Sequence, residues 1–100
     1  MKEYLVTCIH KPHHSSAHEH ISRIGNSRDN WCMTRESAIR RIDAGDERYF
    51  TIDARTGQRA YIGVVRPAGR DPYLRTHADG HWNDNLLAQP ECTADCDLVG

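Results

Sequence analysis

Apolar residues in this chain come in short bursts divided by turn-forming residues, and helical spacing is clear in one place only. Over 3–9 the run Glu-Tyr-Leu-Val-Thr-Cys-Ile is rich in β-formers and stops at Lys11-Pro12, which predicts a first strand. A polar loop through His13-His14-Ser15-Ser16 follows. The stretch 19–24 alternates weakly, and Ile21 and Ile24, three apart, also suit a helical turn. The stop at Gly25-Asn26-Ser27, and the need of the first strand for an antiparallel neighbour, favour a strand. The helix is predicted over 34–44. The Thr34 hydroxyl caps it, Glu36 stands in the first turn where the helix dipole favours an anion, and Ala38, Ile39 and Ile42 form a narrow apolar face. Gly45 supplies the left-handed residue that ends it. So short a helix does not hold alone in water and must dock on a sheet. Strands at 48–52 and 59–65 read as a hairpin around Ala54-Arg55-Thr56-Gly57. A polar loop over 67–72 leads to a final short strand at 73–76, a turn at 78–80, and at most one helical turn between Trp82 and Pro90. The expected architecture is α+β: a small antiparallel sheet, about β-β-α-β-β-β, with one helix packed on it.

Composition narrows this to one small domain. With 100 residues there is room for a single domain over 1–92, followed by an acidic, flexible tail over 93–100. Hydrophobic residues make up 38% and mean hydropathy is -0.74, so the core must be thin. A net charge of -1 and a pI of 6.6 exclude a generically basic nucleic-acid or membrane binder. That neutrality averages unlike parts. Residues 35–75 hold nine arginines against six acids, whereas 84–100 hold four acids and no base. The start Met-Lys-Glu-Tyr-Leu-Val-Thr-Cys-Ile-His has no signal-peptide pattern, and no apolar run is long enough to cross a membrane. The expectation is a soluble, cytoplasmic protein whose four cysteines (Cys8, Cys32, Cys92, Cys96) are reduced thiols.

The run from Tyr73 to Cys92, reading YLRTHADGHWNDNLLAQPEC, resembles the closing signature of the small bacterial proteins in domain-of-unknown-function family 3892. Ala38-Ile39 to Gly45, Tyr49-Phe50-Thr51 and Tyr61-Ile62-Gly63-Val64-Val65 sit where that family has its helix and hairpin. The resemblance covers about residues 3–92. Gln89 departs from the leucine usual before the proline. The resemblance implies a fold and brings no activity with it.

Five of seven histidines lie between His10 and His20, and Cys8-x-His10-x2-His13-His14-x3-His18-x-His20 gathers six nitrogen and sulfur donors. Zinc takes four such ligands in tetrahedral array. If the segment is a hairpin, Cys8 and His10 face His18 and His20 across the turn, a candidate zinc site with those four ligands. The spacing matches no established finger, and a solvated polar loop is the plain alternative. Cys92-x3-Cys96 can add thiolates or close a small disulfide, and reads chiefly as tail cysteines. Cys32, between Trp31 and Met33, reads as a small buried hydrophobe.

Catalytic readings are weaker. Cys8 with His10 or His20 offers a nucleophile–base pair, and His77-x-Asp79-x-His81 offers acid–base groups, but both have plain readings as core and polar turn. No phosphate-cradling loop or zinc-protease motif is present, and a thin core argues against a large substrate pocket. The chain is expected not to be an enzyme. For nucleic acid, Arg40, Arg41, Arg48, Arg55, Arg59, Arg66, Arg70 and Arg75 could line a sheet face with Tyr49, Tyr61 and Tyr73, an arrangement suited to single strands. The leading expectation is a non-enzymatic protein-binding, adaptor or inhibitor domain, or one that self-associates. Its anchors would be Trp31, Trp82, Tyr49, Tyr61, Tyr73, Arg59 and Arg75. A zinc-stabilised or metal-sensing protein and a single-strand binder are the alternatives.

Overall fold

A computed structural model describes residues 2–13, 16–93 and 95–99. They form nine strands and one helix: β1 (Lys2–Leu5), β2 (Cys8–His10), β3 (Arg23–Asn26), β4 (Trp31–Thr34), α1 (Arg35–Ala44), β5 (Glu47–Ile52), β6 (Arg59–Val65), β7 (Tyr73–Ala78), β8 (His81–Asn83) and β9 (Asp97–Leu98), with a 3₁₀ turn at His18–His20. The α+β class holds. The single antiparallel sheet does not: the strands divide into a five-stranded sheet, β1-β5-β6-β7-β8, and a four-stranded sheet, β2-β3-β4-β9. β1 runs parallel to β5 and β9 parallel to β4; the other pairings are antiparallel.

The division arises inside the first predicted strand. The Val6 N–H donates to Phe50 O at 2.7 Å in one sheet, and the next N–H, of Thr7, donates to Gly25 O at 2.9 Å in the other. One continuous β-rich run thus serves two sheets, and Val6 is buried at the corner.

The helix follows its sequence signals. Thr34 Oγ1 accepts from the Ser37 N–H at 3.1 Å, and Gly45 adopts φ 79° while its N–H donates to Ile42 O. The helix touches β5, β6 and β7 of the larger sheet and β3 and β4 of the smaller, so it closes the angle between them. Val6, Ile9, Ile21, Ile24, Met33, Ala38, Tyr49, Ile62, Leu74 and Leu86 form the core there. Along the larger sheet, burial alternates strictly on β7 (Leu74 and Thr76 in; Tyr73, Arg75 and His77 out), as a sheet with one packed face must.

The smaller sheet carries the largest correction. All four cysteines are oxidised, Cys8 to Cys92 and Cys32 to Cys96, against the expected free thiols. The segment expected as a flexible tail contributes β9 and, through Cys96, one of these two bridges. The pairing has a local cause: Cys8 opposes Gly25 and Gly25 opposes Cys32 across β2-β3-β4, so one row sets two cysteines beside the returning chain. Gly25 is needed between them, because a Cβ there would lie 2.4 Å from Trp31 O and 2.9 Å from Cys32 Cβ. The bridges close 84- and 64-residue separations. On the chain-entropy account each alone stabilises by about 4–5 kcal/mol, the second less once the first is closed. A thin core in a small domain is thereby supplemented.

Candidate functional site

The core side chains of the five-stranded sheet, Tyr49, Ile62 and Leu74, lie on one face, and among the described residues neither α1 nor the smaller sheet packs on the other, the outer one. Register aligns one row across all five strands: Leu5 with Phe50, Phe50 with Tyr61, Tyr61 with His77, and His77 with Trp82. Four of these five side chains are aromatic or imidazole rings. Phe50 and Tyr61 lie 6.0 Å apart, and His77 meets Trp82 edge-to-face at 5.5 Å and 84°. Trp82 comes from the short edge strand β8 yet reaches over β7 as far as β6. A Cβ on Gly63 would stand 3.1 Å from the His77 ring and 3.2 Å from the Trp82 indole. Gly63 is therefore the shelf on which the indole lies, and Trp82 stays 47% exposed.

Arginines complete the face. The Arg59 guanidinium sits 4.2 Å over the Phe50 ring, and that of Arg48 sits 5.4 Å over Tyr61. Arg59 also donates to Glu3 Oε1 at 2.7 Å, and the Tyr61 hydroxyl donates to the same oxygen at 2.8 Å. The Tyr61 hydrogen bond and the Arg59 charge hold the Glu3 carboxyl below the usual carboxylate range. Arg75 donates to Asp84 Oδ1 at 3.0 Å. Among the described residues Arg48 has no ion-pair partner. Ile52, 45% exposed, ends β5 on this same face.

Five of the seven expected anchors therefore share one surface: Tyr61, Tyr73, Arg59, Arg75 and Trp82. Trp31 and Tyr49 do not. Tyr49 is buried on the inner face, where it stacks on Tyr4 at 5.6 Å and lies 6.2 Å from Trp31. Its hydroxyl makes a very short hydrogen bond to Glu47, which also accepts from Arg41 at 3.3 Å, and burial pushes the phenol well above its ordinary value. The proposed arginine row is likewise split. Arg48, Arg59 and Arg75 reach the outer face, Arg40 and Arg41 belong to the helix, Arg66 pairs with the helix residue Asp43, and Arg55 and Arg70 lie in loops. Phe50, Gly63 and His77 were not among the expected residues. Once register is known, their alignment with Tyr61 and Trp82 identifies them.

The zinc arrangement is not formed. Cys8 has no thiolate to offer, being bridged to Cys92, and β2 pairs with β3, so His10 opposes Arg23 instead of a histidine. His10 Nδ1 lies 3.0 Å from Glu91 Oε1. His18 turns into the protein, its side chain 12% exposed and Nε2 3.3 Å from Asp84 Oδ1, without the alignment of a hydrogen bond. Burial first, then the Arg75 charge, lowers its pKa below the ordinary histidine value. Among the described residues no three His, Cys, Asp or Glu side chains gather as metal ligands. His14 lies outside the described residues.

The histidine segment does line a cleft of 920 Å³ with His10, Lys11, His20, Arg35, Arg70 and Glu91. The size argument against a pocket thus fails for this chain. The cleft is lined by three bases (Lys11, Arg35, Arg70) and three acids (Glu19, Asp71, Glu91), which leaves it without a dominant charge. The Cys8 nucleophile is excluded by its bridge. In the His77-x-Asp79-x-His81 group, Asp79 occupies a left-handed turn at φ 53° and His77 packs edge-to-face on Trp82.

Fold and surface together define a disulfide-bridged, two-sheet α+β domain with one uncovered aromatic and arginine-bearing sheet face. A family model described as "Protein of unknown function (DUF3892)" matches residues 5–90, and the chain belongs to that family. No curated protein and no solved structure matches it. Among the described residues no helix is long and apolar enough to cross a membrane.

Proposed function

We infer that the protein is a non-enzymatic binding domain, an adaptor or inhibitor, whose outer sheet face binds a protein partner. The observation that carries this is the row Phe50–Tyr61–His77–Trp82, with the far edge of the Trp82 indole against Gly63 and the side chain half exposed. Tryptophan, tyrosine and arginine are the residues on which protein interfaces concentrate their binding energy. The fitting partner surface is apolar at its centre, to cover Trp82 and Ile52, with a carboxylate placed for Arg48.

The same rings suit stacked bases, so a single-stranded nucleic acid is the competing occupant. Charge favours the protein partner. Arg59 and Arg75 are already matched by Glu3 and Asp84, which leaves one guanidinium for phosphates where strand binders use many. Partly neutralised arginines over rings are the form that suits a protein interface rim.

The test compares wild type, Trp82→Ala and Arg48→Ala as baits in lysate of the source cells, with oligo-dT and oligo-U titrated in parallel. The expected result is a protein enriched by wild type and lost with both variants, with no oligonucleotide binding at 150 mM salt. Equal recovery by wild type and Trp82→Ala overturns the reading. Oligonucleotide binding that fades from 50 to 200 mM salt replaces it with the nucleic-acid one. As to location, two disulfides fit an oxidising setting better than the cytoplasm expected from the sequence, and thiol trapping in intact cells distinguishes the two.

A further inference from the structure

Residues 95–99 occupy a place that a peptide could fill. β9 adds a parallel strand to the edge of β4, with Asp97 opposite Trp31 and Leu98 opposite Cys32. The Asp97 N–H donates to Asn30 O at 3.2 Å and the Val99 N–H to Cys32 O at 2.8 Å. Beneath this strand is a cavity of 380 Å³ lined by Tyr4, Trp31, Met33, Arg41, Tyr49 and Val99. Three rings wall it, with centroids 5.6 to 6.4 Å apart. Arg41 is occupied by Glu47, so the cavity offers an apolar interior. Val99 packs against the core beside it. Main-chain pairing with an edge strand plus one aliphatic side chain in a pocket is how sheets bind extended peptides.

The attachment of this segment is thin without its bridge. Few backbone hydrogen bonds hold it, and the Cys32–Cys96 disulfide fixes its register. The two bridges differ in access. Cys8 and Cys92 are both buried, whereas Cys96 is partly exposed beside a buried Cys32. A dithiol therefore reaches Cys96 first. Its thiolate attacks Cys96 Sγ, the S–S bond breaks, and Cys32 leaves as a thiolate that takes up a proton. The second thiol then displaces Cys96 as a thiol and closes the reagent's own disulfide, so two electrons and two protons pass to the protein.

We propose that the β4 edge and the cavity under Val99 form a strand-binding site, held closed by the Cys32–Cys96 bridge, whose occupant after reduction is the 95–99 segment of a second copy. Complementarity is already displayed within the chain: the segment fits the β4 edge, places Val99 at the cavity and brings Cys96 to Cys32. An identical segment from another copy meets the same edge with the same register, which is the condition for exchange of an element between protomers. The β4 edge belongs to the smaller sheet and the cavity rings of Tyr4 and Tyr49 to the inner side of the larger, so the site lies away from the proposed partner-binding outer face and does not depend on it.

The experiment uses the full chain. Equal amounts of ¹⁴N- and ¹⁵N-labelled protein are reduced with dithiothreitol until only Cys32 and Cys96 are alkylatable. They are then reoxidised over a concentration series, and the bridged peptides are mapped by mass spectrometry. Exchange predicts mixed-isotope Cys32–Cys96 peptides that grow with concentration to several-fold above their level at dilution, while Cys8–Cys92 peptides stay unmixed. A Val99→Asp chain, whose acid the apolar cavity rejects, forms several-fold fewer mixed bridges. Bridges that remain within one copy at every concentration overturn the proposal. So do mixed bridges formed equally by Val99→Asp, since thiol collision alone then accounts for them. Near-ultraviolet circular dichroism of the reduced protein establishes that the folded chain is the one measured.

Discussion

Gly63 tests whether Trp82 rests where the binding face requires. Replacing it with alanine adds one carbon at 3.1 to 3.3 Å from three side-chain atoms of His77 and Trp82. Those atoms belong to movable rings, one of them half exposed, so a shift of a few tenths of an ångström accommodates the methyl. Alanine also recovers about 0.5–1 kcal/mol of the conformational cost of glycine within a strand. The two effects nearly offset, and Gly63→Ala is expected within about 0.5 kcal/mol of wild type. Valine cannot be accommodated so cheaply. Its branches enter the space under the indole and lift Trp82 off the sheet.

The magnitude follows from the area at stake. About half of the indole is covered, roughly 100 Å², and losing it costs about 2.5 kcal/mol at ~25 cal/mol per Å². Up to about 1 kcal/mol returns from the better strand propensity of valine, so Gly63→Val is expected to lose about 1.5–2.5 kcal/mol in urea unfolding. Its second readout is Trp82 fluorescence, isolated by subtraction against Trp82→Phe, with a red-shifted emission and stronger acrylamide quenching. If Gly63→Val unfolds with wild-type stability and unchanged quenching, Trp82 does not rest against Gly63, and the ring placement on which the proposed interface depends is absent.

Gly25→Ala is expected to behave oppositely to Gly63→Ala, because its Cβ meets a backbone carbonyl at 2.4 Å and β3 must part from β4; a loss of about 3 kcal/mol in the same assay is expected, and a neutral outcome contradicts the β2-β3-β4 register. His18 is held neutral by burial and by the Arg75 charge, with Asp84, Glu19 and Lys11 also facing it. Its contribution to stability is therefore full above the unfolded histidine value of about 6.5 and is lost as pH falls through its lower folded value. Denaturation midpoints recorded from pH 7.5 to 4.5 should show a slope that His18→Gln flattens, and identical slopes contradict the burial of this ring. Thr34→Ala removes the hydroxyl that accepts from the Ser37 N–H and is expected to cost about 1 kcal/mol, with Thr34→Ser recovering most of it.

Local signals were read well where a residue type acts on its own neighbours. Thr34 and Gly45 bound the helix as their chemistry requires, and the β-branched and aromatic runs at 48–52, 59–65 and 73–76 are strands. What escaped was set by distance along the chain. The sequence cannot show that a strand over 3–9 hands its hydrogen bonds from one sheet to the other between Val6 and Thr7. Nor can it show that β2 turns to β3 and leaves His18–His20 in a 3₁₀ turn. The strand favoured over 19–24 forms only from Arg23, runs on through Gly25 and Asn26, and leaves Ile21 extended after the turn, so the Ile21–Ile24 spacing marks two buried residues and no helical turn.

The residues grouped as anchors for the proposed binding do not all share one face, for a reason that register makes plain. Alternation within one strand says which residues share a side, but a shift of one residue between strands exchanges the sides. Tyr49 seemed to belong with Tyr61 and Tyr73, yet Phe50 is the residue opposite Tyr61, so Tyr49 points inward and helps wall the cavity beneath Val99. The cysteines failed for the complementary reason. Cys8 and Cys92 stand 84 residues apart, and only the return of the chain along the smaller sheet brings them together. The first error lies in the β5–β6 register of the larger sheet and the second in the return of the chain along the smaller, and their consequences meet at the cavity that Tyr49 and Val99 both line. With Tyr49 committed inward beside Trp31, the row of rings on the outer face is Phe50, Tyr61, His77 and Trp82. The inner aromatic cavity is left to the segment that the Cys32–Cys96 bridge holds across it. A thin core with a narrow helix cannot cover both sides of a five-stranded sheet. The side it leaves bare is where Trp82 lies.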